Sequence, residues 1–209
     1  MLSEWNAECS ADSPTLIVPW ADAASGMHFV DLRAEPYDIA EIPEAELHPA
    51  LGRALRSLNA TRSPFLTAKC DAWAIEDPEA REALRLELLI DETDALYGFA
   101  SYIDLLWRDR SLFASSHQQQ DRLDRIIRRA QKLLHEEAVL ECILRPAFLD
   151  LNMPLEGFSI SLYVSAIGSE PEIAHRRWEL ALDDVVALLR SKDLELQRGS
   201  ATIDAVPKP

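Results

Sequence analysis

The chain predicts an α+β fold, an antiparallel sheet with helices packed on one face. Two patterns carry this reading. Ile160, Leu162, Val164 and Ala166 alternate with Ser159, Ser161, Tyr163 and Ser165, the period of a strand with one buried and one wetter face. Leu123, Ile126, Ile127, Ala130, Leu133 and Leu134 recur instead at intervals of three and four, which makes one apolar stripe on a helix. With 209 residues, 48% hydrophobic and 27% charged, the chain has a globular composition and enough apolar mass for one core.

In chain order, residues 1–25 are rich in Ser, Ala and Asp with Pro14 and Pro19, and read as loosely ordered. Residues 28–33 read as the first strand. A helix follows over about 43–58 with Leu47, Leu51, Ala54, Leu55 and Leu58 inward, its start left open by Pro49 and Gly52. Residues 66–75 form the next strand, and Asp77-Pro78-Glu79 starts a short helical excursion through Leu84 and Leu88 within a long hairpin connection. Residues 98–106 read as a strand for their aromatic content, although Phe99, Ile103 and Trp107 also fit helical spacing.

The helix with the Leu123 stripe begins after Ser115 and Ser116. Its outer face carries Arg122, Arg125, Arg128, Arg129 and Lys132, a solvated face with local carboxylate partners. Strands over 139–148 and 158–167 come next. Ser169 and Glu172 have capping-box spacing around Pro171 and open the last helix, whose stripe is Ala174, Trp178, Ala181, Leu182, Val185, Leu188 and Leu189. Residues 199–209 read as a flexible tail, which leaves 26–198 as a single domain. The order β-α-β-β-α-β-β-α is ferredoxin-like with an extra strand and helix.

Charge and motifs exclude more than they assign. Lys and Arg number 21 against 36 Asp and Glu, a net charge of −15, so the field repels nucleic acid and anionic membrane surfaces. No apolar run approaches the ~20 residues that span a bilayer, and the acidic start, Met1 to Glu8, lacks the form of a secretory signal. A cytoplasmic location is expected, with Cys9, Cys70 and Cys142 as reduced thiols and the last two inward. The five histidines are scattered, and no Gly-x-Ser-x-Gly, Gly-x-x-x-x-Gly-Lys or Gly-x-Gly-x-x-Gly occurs. No cofactor is expected.

The strands place acids near their middles: Asp31, Asp71, Asp104 and Glu141. Because side chains alternate between faces, Asp71 shares a face with Lys69 and Trp73, Asp104 with Tyr102, Asp31 with Arg33, and Glu141 with Arg145. Tyr163 falls on the same polar face, while Ala68, Cys70, Ile103, Leu140, Cys142 and Leu144 form the opposite, small or apolar set. Aromatics among charges are common anchors of protein interfaces. The expected function is therefore a non-catalytic binding domain that meets a protein partner or a second copy through Lys69, Asp71, Trp73, Tyr102, Asp104, Glu141, Arg145 and Tyr163. A basic partner would be drawn by the acidic field. The alternative is a divalent-metal hydrolase or small-ligand binder, with Asp31, Asp71 and Asp104 supplying hard oxygen ligands.

Overall fold

The computed structural model describes residues 1–91, 95–151 and 153–191, so the expected tail and residues 192–198 lie outside the described residues. Turn and proline chemistry decide the first third of the chain. Residues 28–33 do not form the expected strand, because Asp31 folds the backbone locally. Its carboxylate accepts from the Arg33 backbone N–H at 3.1 Å and from the Arg33 guanidinium at 2.9 and 3.0 Å. Its carbonyl accepts from the N–H groups of Ala34 and Glu35. An aspartate bonding two residues onward stabilises a turn rather than a ladder.

Residues 1–25, expected to be loose, instead supply strands β1 (Leu2–Ala7) and β2 (Leu16–Val18). A 3-10 turn over Pro36–Glu41 leads into α1 (Pro43–Leu47) and α2 (Pro49–Asn59). The single helix expected here is broken at His48, which adopts φ −122° and ψ 89° because the residue before a proline is pushed out of the helical region. The break resets the helical phase. Leu47 is left 73% exposed, whereas Leu51, Ala54, Leu55 and Leu58 are buried as expected.

The remaining elements are β3 (Phe65–Ala74), α3 (Pro78–Leu88), β4 (Tyr97–Trp107), a helical turn α4 (Arg110–Phe113), α5 (Ser116–Ala130), β5 (Ala138–Leu149), β6 (Leu155–Gly168) and α6 (Pro171–Leu189). Asp77 and Ser115 cap α3 and α5 through side-chain oxygens. The capping box expected from Ser169 is displaced. Pro171 at the first helical position makes Glu170 the extended N-cap, and its side chain makes no capping bond. The α5 stripe also stops early: the chain must reverse between Ala130 and Ala138 to enter β5, and Leu134 is 95% exposed.

The fold is α+β, but its sheet is mixed and open. The strand order is β1-β5-β6-β4-β3, with β2 beside β5. The β3, β4, β6 and β5 ladders are antiparallel, while β1 and β2 run parallel to β5 along different parts of its length. Neither the antiparallel-only sheet nor the ferredoxin-like order describes it, since two strands missing from the expected order occupy one edge.

One face carries α2, α5 and α6 over Phe99, Ile103, Leu105, Leu140, Cys142, Leu144, Ile160, Leu162 and Val164, all buried. Trp178 of α6 is fully buried there, and its indole N–H donates to Ser101 Oγ at 2.8 Å. Helices are not confined to this face. Leu84 of α3 clusters with Val139 and Ile167, whose pleat positions match Glu141 and Tyr163 on the other side. Among the described residues no helix is long and apolar enough to cross a membrane.

The outer edge of β3 is closed by this chain's own side chains. Arg108 Nε donates to the Phe65 carbonyl at 2.7 Å, the Asn59 side-chain carbonyl accepts from the Thr67 N–H at 3.2 Å, and the Trp20 indole donates to the Ala68 carbonyl at 3.0 Å. Asp71 accepts from the Ala72 N–H at 2.7 Å. A bulge between Thr67 and Cys70 further interrupts the edge. Such features block strand-to-strand pairing.

Candidate binding face

Register gathers the polar face into rows. Asp71 of β3 lies beside Tyr102 of β4, Tyr102 beside Tyr163 of β6, Tyr163 beside Glu141 of β5, and Glu141 beside Glu4 of β1. One pleat position away, Asp104 lies beside Ser161, and on the other side Trp73 lies beside Ala100. The Trp73 and Tyr102 rings are 6.3 Å apart and the Tyr102 and Tyr163 rings 5.8 Å, both pairs tilted. These distances suit edge-biased aromatic contact. The face is apolar at both ends. Val139 and Ile167 meet α3 at one, and Leu66, Leu106 and Ala147 join the main core with Val18 and Leu32 at the other. The band between them holds the polar and aromatic groups.

Within the band, Asp104 is only 8% exposed. Ser161 Oγ donates to its Oδ1 at 2.6 Å, and Arg145 Nη1 donates to Ser161 Oγ at 3.3 Å. Arg145 Nε also donates to Glu8 at 2.8 Å, and Asn6 donates to Glu141 at 3.1 Å, so the N-terminal segment ties into the band. Burial pushes the Asp104 carboxyl above its ordinary value, and the Ser161 bond with the Arg145 and Lys69 charges only partly opposes this. Burial and the neighbouring Asp104 likewise push the Tyr102 phenol up.

The Asp104 shift has a signed consequence. The folded protein holds this proton to higher pH than the unfolded chain does, so within that window the folded state binds more protons and stability falls as pH rises. Asp104→Asn keeps an acceptor for Ser161 and cannot ionise. Urea denaturation is expected to show the variant more stable than the parent at neutral pH, with the difference shrinking in acid. A variant less stable at both pH values would contradict this account.

Asp31 is not in the band; it lies in the turn with Arg33, held below its usual range by that guanidinium and the turn N–H groups despite its partial burial. Among the described residues no group of three His, Cys, Asp or Glu is placed to hold a metal ion, so the Asp31, Asp71 and Asp104 set of the alternative reading is not formed. Asp71, Trp73, Tyr102, Asp104, Glu141, Arg145 and Tyr163 do share the face, as the pleat implied. Lys69 sits in the β3 bulge, its Nζ 5.0 Å from the Trp20 ring centre.

At that bulge a cavity of about 620 Å³ opens, walled by Trp20, Glu44, Lys69, Cys70, Asp71 and Tyr102. Burial pushes the Cys70 thiol up to about 12, which leaves it protonated and a poor nucleophile. Cys142 is buried on the helical face and Cys9 is exposed. Trp20 and Glu44 were not singled out by sequence. Trp20 follows Pro19 in a stretch with no helical or strand period, and Glu44 is one of two acids in the first turn of α1, so neither carries a local signal of a site.

No protein-family model, curated protein or solved structure matches this chain.

On the helical side, His48 meets Phe99, His175 and Trp178, with ring centres 5.2, 5.7 and 6.0 Å away. Its Nδ1 is buried without a hydrogen-bond partner among the described residues. Burial and the nearby His175 hold its pKa below the ordinary histidine value, against the pull of Asp71, Glu179 and Glu44. This cluster fills the core next to α6.

Proposed function

We propose that this chain is a non-catalytic binding domain that takes a protein partner on the polar sheet band. The observation that carries the reading is the aromatic ladder Trp73–Tyr102–Tyr163 set among Asp71, Glu141 and Arg145, on a face where α3 covers only one end. Aromatic and arginine side chains supply much of the energy of protein interfaces. Trp73 is 38% exposed and Tyr102 and Tyr163 are half-buried, so docking would remove apolar surface without unfolding anything. The closed β3 edge argues for contact through the face rather than by adding a strand. The net charge of −15 favours a partner surface of opposite sign. The hydrolase alternative loses its support with Asp31 in the turn.

Sedimentation equilibrium tests the self-associating form directly, and cross-linking from Trp73 replaced by a photoreactive residue identifies another partner for purification and titration. Trp73→Ala and Tyr102→Ala are each expected to weaken the association about tenfold, the effect of an interface residue contributing roughly 1.4 kcal/mol. A monomer whose purified partner binds both variants as tightly as the parent would overturn the assignment.

A further inference from the structure

We propose that the cavity at the β3 bulge binds an organic cation, an ammonium or guanidinium carried on a short apolar stem. The cavity borders the polar band and shares Asp71 and Tyr102 with it, but its cation chemistry rests on Trp20 and Glu44, outside the ladder, so the proposal does not depend on the partner reading. The cavity volume of about 620 Å³ lies within the ~300–1,000 Å³ range of small-ligand sites. Its lining carries Asp22, Glu41, Glu44 and Asp71 against Lys69 and His28. Asp22 is used locally, accepting from Ser25 Oγ at 2.6 Å and the Ala24 N–H at 2.9 Å, and Glu41 lies 3.6 Å from His28. Asp71 accepts from the adjacent Ala72 N–H at 2.7 Å, and neither it nor Glu44 is in a salt bridge among the described residues. Val30, Ile42 and Leu55 provide the apolar part of the lining.

The charge alone would be an acidic cluster; a second feature identifies the ligand chemistry. Lys69 places its own ammonium 5.0 Å from the centre of the Trp20 ring, inside the range at which a cation is attracted to the ring face. The ring is fixed in that role, because its indole N–H donates to the Ala68 carbonyl in the bulge that also carries Lys69. The wall therefore already receives an ammonium from the chain itself. An incoming cation would share the Asp71 and Glu44 field and compete with Lys69 for the Trp20 face. Lys69 acts as a resident competitor, so removing its charge should tighten binding rather than weaken it.

The test is titration of the full chain with butylammonium and butylguanidinium, with n-butanol as the neutral control, read by NMR at the Trp20 indole N–H. Saturable shifts are expected for the two cations and not for the alcohol. Asp71→Asn, which keeps the acceptor for the Ala72 N–H, and Glu44→Gln should each weaken binding about fivefold. Lys69→Met should tighten it several-fold. N-acetyl-lysine amide and N-acetyl-arginine amide distinguish the source: binding comparable to that of the butyl cations assigns the site to a partner's side chain, and binding confined to the free cations assigns it to a small molecule. Equal shifts with n-butanol, no saturable shift with either cation, or dissociation constants unchanged by both carboxylate substitutions would each overturn the proposal.

Discussion

Trp178→Ala is expected to cost about 3–5 kcal/mol of folding stability, the usual range for truncating a large buried aromatic. The residue is fully buried in the centre of α6, and its ring lies 4.6 Å from Phe99 and 5.2 Å from His175. Truncation leaves a cavity under three packed rings and removes the indole N–H that donates to Ser101 Oγ, itself 1% exposed. Trp178→Phe separates the two contributions. It restores most of the ring volume but not the indole N–H, so its loss should be about 1–2 kcal/mol, and Trp178→Phe with Ser101→Ala should recover part of that loss. Urea denaturation of the parent, the single variants and the double variant gives each quantity. A Trp178→Ala chain with an unchanged unfolding midpoint would mean that α6 is not packed on the sheet as described.

Asn59→Ala is expected to lose about 2–3 kcal/mol by a different route. Asn59 is 5% exposed and ends α2 by tying it to the start of β3. Its amide donates to the Leu55 carbonyl at 2.9 Å and to Thr67 Oγ1 at 2.7 Å, and its carbonyl accepts from the Thr67 N–H at 3.2 Å. Alanine strands the Thr67 N–H and hydroxyl in a buried place, and a buried polar group without a partner costs about 1–3 kcal/mol. Asn59→Asp retains the acceptor but offers no amide donor, and adds a charge with little access to water. It should be at least as destabilising at neutral pH and should recover in acid as the carboxyl is protonated. Thermal unfolding across pH checks the pair. If Asn59→Asp behaved like the parent at neutral pH, the donor side of this network would carry no energy.

Much of the polar band was legible because pleat parity is local. Once residues 98–106 and 158–167 are strands, Tyr102 and Asp104 must share one face and Tyr163 must share another with Ser161. The antiparallel β4–β6 register then places these faces on the same side of the sheet. Asp31 was misplaced for an equally local reason. Val30-Asp31-Leu32 has the apolar–polar alternation of a strand, but the aspartate can bond its own downstream N–H, and that turn chemistry prevailed over a ladder. The cavity was not legible. Trp20 reaches the Ala68 carbonyl across 48 positions, and no period in the sequence encodes such a meeting.

Local periodicity is enough to make α5 and α6 amphipathic helices and β4, β5 and β6 strands, and to set a polar pleat set apart from an apolar one. These follow from which neighbours three, four or two residues away must be buried together. The tertiary structure decided the order of the strands, the parallel placement of β1 and β2 against β5, the position of α3 on the polar face, and the joining of Trp20, Lys69 and Asp71 around one cavity. Each of these depends on contacts between distant segments competing for the same sheet edge or face, and that competition is resolved only when the whole chain is packed.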